Sequence, residues 1–99
     1  MFIALSKFVI ANDMASEVKI AFKNRPHLVE NSSGFIRLEV LSPRENPNEI
    51  WLLTYWNSEQ SYQNWHHSEV YQQSHQQMPK GLKLVPQATE LRFFDHICS

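Results

Sequence analysis

The chain has 99 residues, of which 42% are apolar and 19% charged, which is typical of one small domain that folds around a single core. Nine basic residues against ten acidic ones give a formal net charge of −1, so the protein lacks the positive field that nucleic-acid binding needs. No apolar run approaches the roughly 20 residues of a membrane span, and a soluble protein without a membrane partner is expected.

The first strand is predicted over residues 2–11, which form an apolar and β-branched run. Because successive side chains of a strand point to opposite faces, Ser6 shares its face with Phe2 and Phe8. A small hydroxyl is therefore expected on the same face as these aromatic side chains.

A helix is predicted after this strand, because apolar residues recur at helical spacing from Met14 onwards. Asn12 or Asp13 is the predicted N-cap, and the helix should end where Arg25 meets Pro26. The helix has one apolar stripe and should pack on the sheet through it.

Two further strands are predicted at residues 35–41 and 49–56. The connection between them, residues 42–48, carries two prolines and no apolar residue, which indicates an exposed hairpin-like loop.

The second half of the chain repeats the helix-then-strand pattern. Residues 57–60 resemble a capping box that starts one helix, and Ser68 is placed to cap a second helix over 69–78. Alternation then predicts a last strand over 89–97. The order β-α-β-β-α-β predicts an α+β, ferredoxin-like fold with a four-stranded antiparallel sheet and helices on one face.

The opposite face of such a sheet has no helix to cover it. If it carries Phe8, Phe35, Trp51 or Phe93, as alternation allows, it exposes an apolar patch too large for a monomer. Packing of two sheets face to face in a homodimer is the expected remedy.

Among the candidate functional residues, His75 stands out because Tyr71, His75 and Met78 are spaced to share one helix face. An imidazole among apolar groups can ligate haem iron, although a half-buried histidine bonded to a backbone carbonyl fits the same spacing. The single cysteine, Cys98, cannot form an internal disulfide and has no neighbouring base. That cysteine usage, with a start that lacks a signal-peptide pattern, predicts a cytoplasmic location.

The residues from Ile50 to His75 carry a resemblance to the antibiotic-biosynthesis-monooxygenase superfamily. The run is a strand ending in Trp56, then Ser-x-x-x-aromatic-x-x-Trp with Trp65 as its last residue, and a histidine ten positions later. Within the superfamily, the pair Trp65 and His75 is most similar to the haem-degrading monooxygenases of the IsdG type. The resemblance covers nearly the whole chain, so residues 1–99 are expected to be one domain of this kind.

The resemblance implies a dimeric α+β barrel in which each subunit binds one haem between helices and sheet. By this resemblance His75 is the iron ligand, Trp65 crowds and distorts the porphyrin, and Ser6 stands where the family has a distal asparagine. Haem would be both cofactor and substrate, iron would be released, and electrons would come from a reductase or another external donor.

The same superfamily contains cofactor-independent oxygenases that use the same pocket without haem. Two alternatives to haem degradation therefore stay open, a cofactor-independent monooxygenase and a small-ligand-binding domain without catalysis.

Overall fold

The computed structural model describes residues 1–75 and 78–99, with all their side chains except those of Ser74 and His75. The elements are β1 (Phe2–Val9), α1 (Ala15–Lys23), a 3-10 turn (Val29–Asn31), β2 (Phe35–Leu41), β3 (Glu49–Trp56), α2 (Glu59–His66), α3 (Glu69–His75) and β4 (Glu90–Asp95). The strands form one four-stranded antiparallel sheet in the order β2-β3-β1-β4, so the predicted ferredoxin-like α+β fold is confirmed.

The strands begin and end close to the predicted positions. β2 and β3 have the predicted bounds, because prolines and turn residues flank both runs. β1 is shorter than predicted and ends at Val9, while Ile10 forms an isolated bridge with Leu84.

The predicted N-cap of α1 was wrong. Met14 occupies the cap position without a side-chain hydrogen bond, and Asp13 has a left-handed φ of 59°. Asn12 is used elsewhere, since its Nδ2 donates to the Gly81 carbonyl at 2.7 Å and its Oδ1 accepts from the Lys83 amide at 3.3 Å. The asparagine side chain therefore fixes the segment that leads to β4.

The two helices of the second half begin as predicted. Ser58 Oγ accepts from the Ser61 amide at 3.2 Å, and Ser68 Oγ accepts from the Tyr71 amide at 3.4 Å. α3 was predicted to reach Met78, but Met78 is not helical and residues 76–77 lie outside the described part. Within the described residues, no helix is long and apolar enough to cross a membrane.

The core lies between the sheet and the helices, where the side chains of Trp56, Ile50 and Val18 are fully buried. The buried residues form two clusters. One consists of Phe2, Ala4, Val29, Trp56 and Tyr62, and the other of Ile10, Val18 and Ile50. Between the two clusters the packing leaves a cavity.

The face of the sheet opposite the helices is apolar along its middle. The pairing register puts Ile3 beside Tyr55, and Leu5 beside Leu53, on this face. Trp51 lies on this face too, as the sequence allowed, because its pairing partner Lys7 is on the same face of β1 as Ile3 and Leu5. In contrast, the other three candidates for this face, Phe8, Phe35 and Phe93, contact core aromatic rings on the helix side.

Candidate functional site

A cavity of about 330 Å³ lies between the sheet and the helices. Its wall is mainly apolar, which is typical of small-molecule sites. The lining residues are Ser6, Phe8, Phe22, Arg25, Pro26, His27, Leu28, Val29, Leu38, Leu52, Trp65, Tyr71, Met78, Leu82, Leu84 and Thr89. Two of the three predicted site residues, Ser6 and Trp65, therefore line one cavity.

Ser6 reaches the cavity from the middle of β1. Its register partners are Leu52 on β3 and Leu91 on β4, so the residue is fixed by backbone pairing on both sides. Among the described residues, the Ser6 hydroxyl has no hydrogen-bond partner, and it lines a mainly apolar wall. The hydroxyl is thus free to bind a polar atom of a ligand.

Trp65 forms a rigid part of the cavity wall. The centre of its ring system lies 4.8 Å from the ring centre of Tyr71 and 5.4 Å from that of Trp56, which is fully buried. Such close aromatic contacts restrict the side chain to one orientation. The Trp65 Nε1 atom is buried without a hydrogen-bond partner among the described residues.

A serine at the junction of α2 and α3 fixes the position of α3 relative to Trp65. Ser68 Oγ donates to the Trp65 carbonyl at 2.6 Å and accepts from the Tyr71 amide. Tyr71 lines the cavity, as the predicted helix face requires, and Met78 lines it as well.

His75 lies at the end of α3, one turn beyond Tyr71. Its side chain is outside the described residues, so its role as an iron ligand stays a prediction. Among the described side chains, no group of three or more His, Cys, Asp or Glu residues is placed to hold a metal ion.

Two tyrosines near the cavity keep their protons at neutral pH. Burial raises the pKa of the Tyr62 phenol to about 12, with a further contribution from Tyr71. Burial also raises the pKa of Tyr71. Both hydroxyls therefore remain hydrogen-bond donors.

A charged cluster that residue spacing did not reveal lies at one end of the cavity. The Arg25 guanidinium and the His27 ring line the cavity, and both bind the carboxylate of Glu30. Hydrogen bonds from Arg25 and with His27 hold the pKa of the Glu30 carboxyl below its usual range, against the opposing effect of partial burial. The cavity is thus apolar along most of its wall and ionic at one end.

The curated proteins that this chain resembles include mycobilin-producing haem oxygenases. A mycobilin-producing haem oxygenase of Mycobacterium tuberculosis is 35% identical over 49 residues, which are 50% of this chain and 47% of that protein. The chain therefore spans about half the length of the curated relatives it matches.

Solved structures with this fold include both haem-binding and cofactor-independent proteins. The heme-degrader MhuD from Mycobacterium tuberculosis, with two hemes bound in its active site, has a TM-score of 0.80 and 20% identity, covering 100% of this chain and 98% of that one. SnoaB, a cofactor-independent oxygenase from Streptomyces nogalater, has a TM-score of 0.77 and 13% identity, covering 99% and 94%. At these identities the likeness concerns the fold alone.

The family model of the antibiotic biosynthesis monooxygenases matches residues 1–77, which include the first three strands, Ser6, Trp65 and α3. The match covers most of the chain. The chain therefore belongs to the antibiotic biosynthesis monooxygenase family.

Proposed function

We propose that the protein binds haem in the cavity beside Trp65 and degrades it oxidatively, releasing iron. The observation that carries this proposal is the apolar cavity whose wall contains the fixed side chains of Trp65 and Tyr71, with α3 attached to the Trp65 carbonyl through Ser68. The curated haem oxygenase that matches half of the chain supports it.

The residues present fit a haem group. An apolar wall suits the macrocycle, the cationic end suits carboxylate substituents, and the unpartnered Ser6 hydroxyl is a donor left for a ligand. His75 is the proposed iron ligand, and Trp65 is the residue proposed to press against one face of the porphyrin.

The chemistry divides between the bound group and the chain. Bound haem supplies iron that activates dioxygen, with electrons from an external donor. The chain excludes water with its apolar wall, keeps the Trp65 ring fixed, and offers the Ser6 hydroxyl as a hydrogen-bond donor inside the cavity.

A cofactor-independent monooxygenase is the second candidate function. The specific observation in its favour is that the Ser6 hydroxyl lines the cavity without a hydrogen-bond partner among the described residues. Such a donor suits an oxygen atom of an aromatic organic substrate. A small-ligand-binding role without catalysis uses the same cavity.

Hemin addition tests the proposal directly. We expect a saturable Soret band with one hemin per chain, followed by its loss when ascorbate is added in air, with free iron detected by a chelator. Binding without loss of the band would support a haem-binding role only. No binding at all would overturn the haem proposal in favour of an organic substrate.

A homodimer with opposed sheets is part of the proposed functional form. The sheet face opposite the helices carries apolar side chains, among them Ile3, Leu53 and Tyr55. Salt-bridged Lys7 lies at its border, 3.0 Å from Glu49. A second copy of the chain buries such a face most simply.

The Ile3→Glu variant is expected to convert the dimer into a monomer, because it puts a charge into the middle of the opposed faces. Sedimentation at micromolar concentration measures the outcome. Ile20→Glu is the matched control, since Ile20 lies on α1 and is 57% exposed. A wild-type monomer, or a folded Ile3→Glu dimer, would contradict the proposal.

A further inference from the structure

The cavity carries positive charge at one end only. Among the described lining residues, Arg25 and His27 are the basic ones, and no aspartate or glutamate lines the wall. Both basic residues lie between the end of α1 and the 3-10 turn at 29–31. A ligand with an apolar body and an acidic group is complementary to this arrangement.

The positive end is not free, because a carboxylate of the chain itself is bound to it. The Arg25 guanidinium donates from Nη1 to Glu30 Oε1 at 3.0 Å and from Nη2 to Glu30 Oε2 at 2.8 Å. His27 Nδ1 lies 2.6 Å from the same Oε2. Paired bonds of this kind match the planar guanidinium to a planar carboxylate.

Glu30 holds this position from outside the cavity. Its side chain is 35% exposed and does not line the wall, whereas the Arg25 side chain is 20% exposed and does. Glu30 therefore has solvent to move into, while Arg25 is in place for a molecule inside the cavity.

We propose that Glu30 is a built-in competitor for the carboxylate-binding position of the cavity, and that a carboxylate-bearing ligand exchanges with it on Arg25. This inference deepens the proposed function, on which it rests for the identity of the ligand, since haem carries propionate carboxylates. It makes Arg25 the residue that selects acidic ligands and Glu30 the residue that limits their affinity.

The expected change in binding free energy is small, because one carboxylate replaces another on Arg25. A ligand carboxylate replaces one ion pair of Arg25 with another, so the net gain is smaller than that of binding to a free guanidinium. Removing the charge of Glu30 takes away the competition. An esterified ligand cannot make the exchange, and its affinity should not depend on Glu30.

The test compares free acids with their methyl esters. One pair is protoporphyrin IX and its dimethyl ester, which lack iron and so do not need His75. The other is pyrenebutyrate and its methyl ester. Binding is measured by fluorescence for the wild type, Glu30→Gln, Arg25→Gln and Arg25→Lys.

Glu30→Gln should bind the free acids about twofold to fivefold more tightly, the range of a partly exposed ion pair, and leave the esters unchanged. Arg25→Gln should weaken the acids by about tenfold towards the affinity of the esters, and Arg25→Lys should restore only part of the loss. Glu45→Gln is the control, because it removes the same charge from the exposed 42–48 connection.

The inference is wrong if the ratio of acid to ester affinity is the same in the wild type and in folded Glu30→Gln, or if neither free acid binds the wild type. Porphyrins that bind with a ratio insensitive to Arg25 and Glu30 would overturn the inference and leave haem binding intact. Pyrenebutyrate that responds to both residues, with no porphyrin binding, would support the inference and overturn the haem proposal.

Discussion

Replacing His75 with alanine is expected to abolish the histidine-ligated spectrum of the hemin-loaded protein and to weaken hemin binding by on the order of a hundredfold, since loss of a supporting partner alone costs that much at many metal sites. The reason is positional. His75 follows Tyr71 by one turn of α3, and Tyr71 lines the cavity. Hemin titration followed by absorption measures both effects.

The two other histidines of this region provide matched controls. The ring centre of His66 lies 4.5 Å from that of Tyr71, and His67 is the C-cap of α2, but neither residue lines the cavity. His66→Ala and His67→Ala should therefore keep the wild-type band position.

Added imidazole separates a ligand role from a structural one. If His75 is the ligand, imidazole should restore a histidine-type spectrum to hemin that stays bound to folded His75→Ala through gel filtration, whereas a misfolded variant would not retain the hemin. A folded His75→Ala protein with unchanged affinity and band position would exclude His75 as the ligand, and His66 and His67 would become the candidates.

The strands were predictable because each carries its own pattern. β2 and β3 lie between turn residues and prolines, and β1 is an apolar and β-branched run. The start of α3 was equally local, since Ser68 caps it within three residues.

The N-cap of α1 was not predictable, because the competition for Asn12 is not local. Its side chain binds Gly81 and Lys83, about seventy positions away in the sequence, as the hydrogen bonds with separations of 69 and 71 residues show. An asparagine side chain can bind either the helix N-terminus or a distant backbone segment. Here it binds the distant segment, whose backbone groups it satisfies.

Part of the candidate site was predictable from the sequence, and its ionic end was not. Alternation along β1 placed Ser6 on one face with Phe2 and Phe8, and the family resemblance singled out Ser6 and Trp65 as site residues; both line the cavity. The ionic end was missed because it depends on backbone conformation, with His27 at a left-handed φ of 53°. Residue spacing alone does not reveal that Arg25 and His27 meet on one carboxylate.

Converting Ser6 to asparagine is expected to speed haem degradation by about tenfold, because one well-placed donor at a site of developing negative charge is worth at least this much in other enzymes. The Ser6 hydroxyl has no partner among the described residues and offers one donor, whereas an asparagine amide is longer and offers two. The measurement is the rate of loss of the Soret band with ascorbate in air.

Ser6→Ala and Ser16→Asn complete the comparison. Ser6→Ala removes the donor and should slow the loss of the band below the wild-type rate, with hemin affinity little changed. Ser16→Asn makes the same substitution at an exposed position of α1 away from the cavity, so its rate should equal that of the wild type.

The three rates together decide whether Ser6 acts on turnover or only fills space on β1. A donor role requires the order asparagine, serine, alanine at equal hemin binding, because binding depends mainly on contacts made by other residues of the wall, Trp65 among them. Equal rates in all three variants would exclude a role of Ser6 in turnover. If no variant degrades hemin although each binds it, the Ser6 hydroxyl has no oxygen activation to assist. Haem storage or sensing then becomes the function to test.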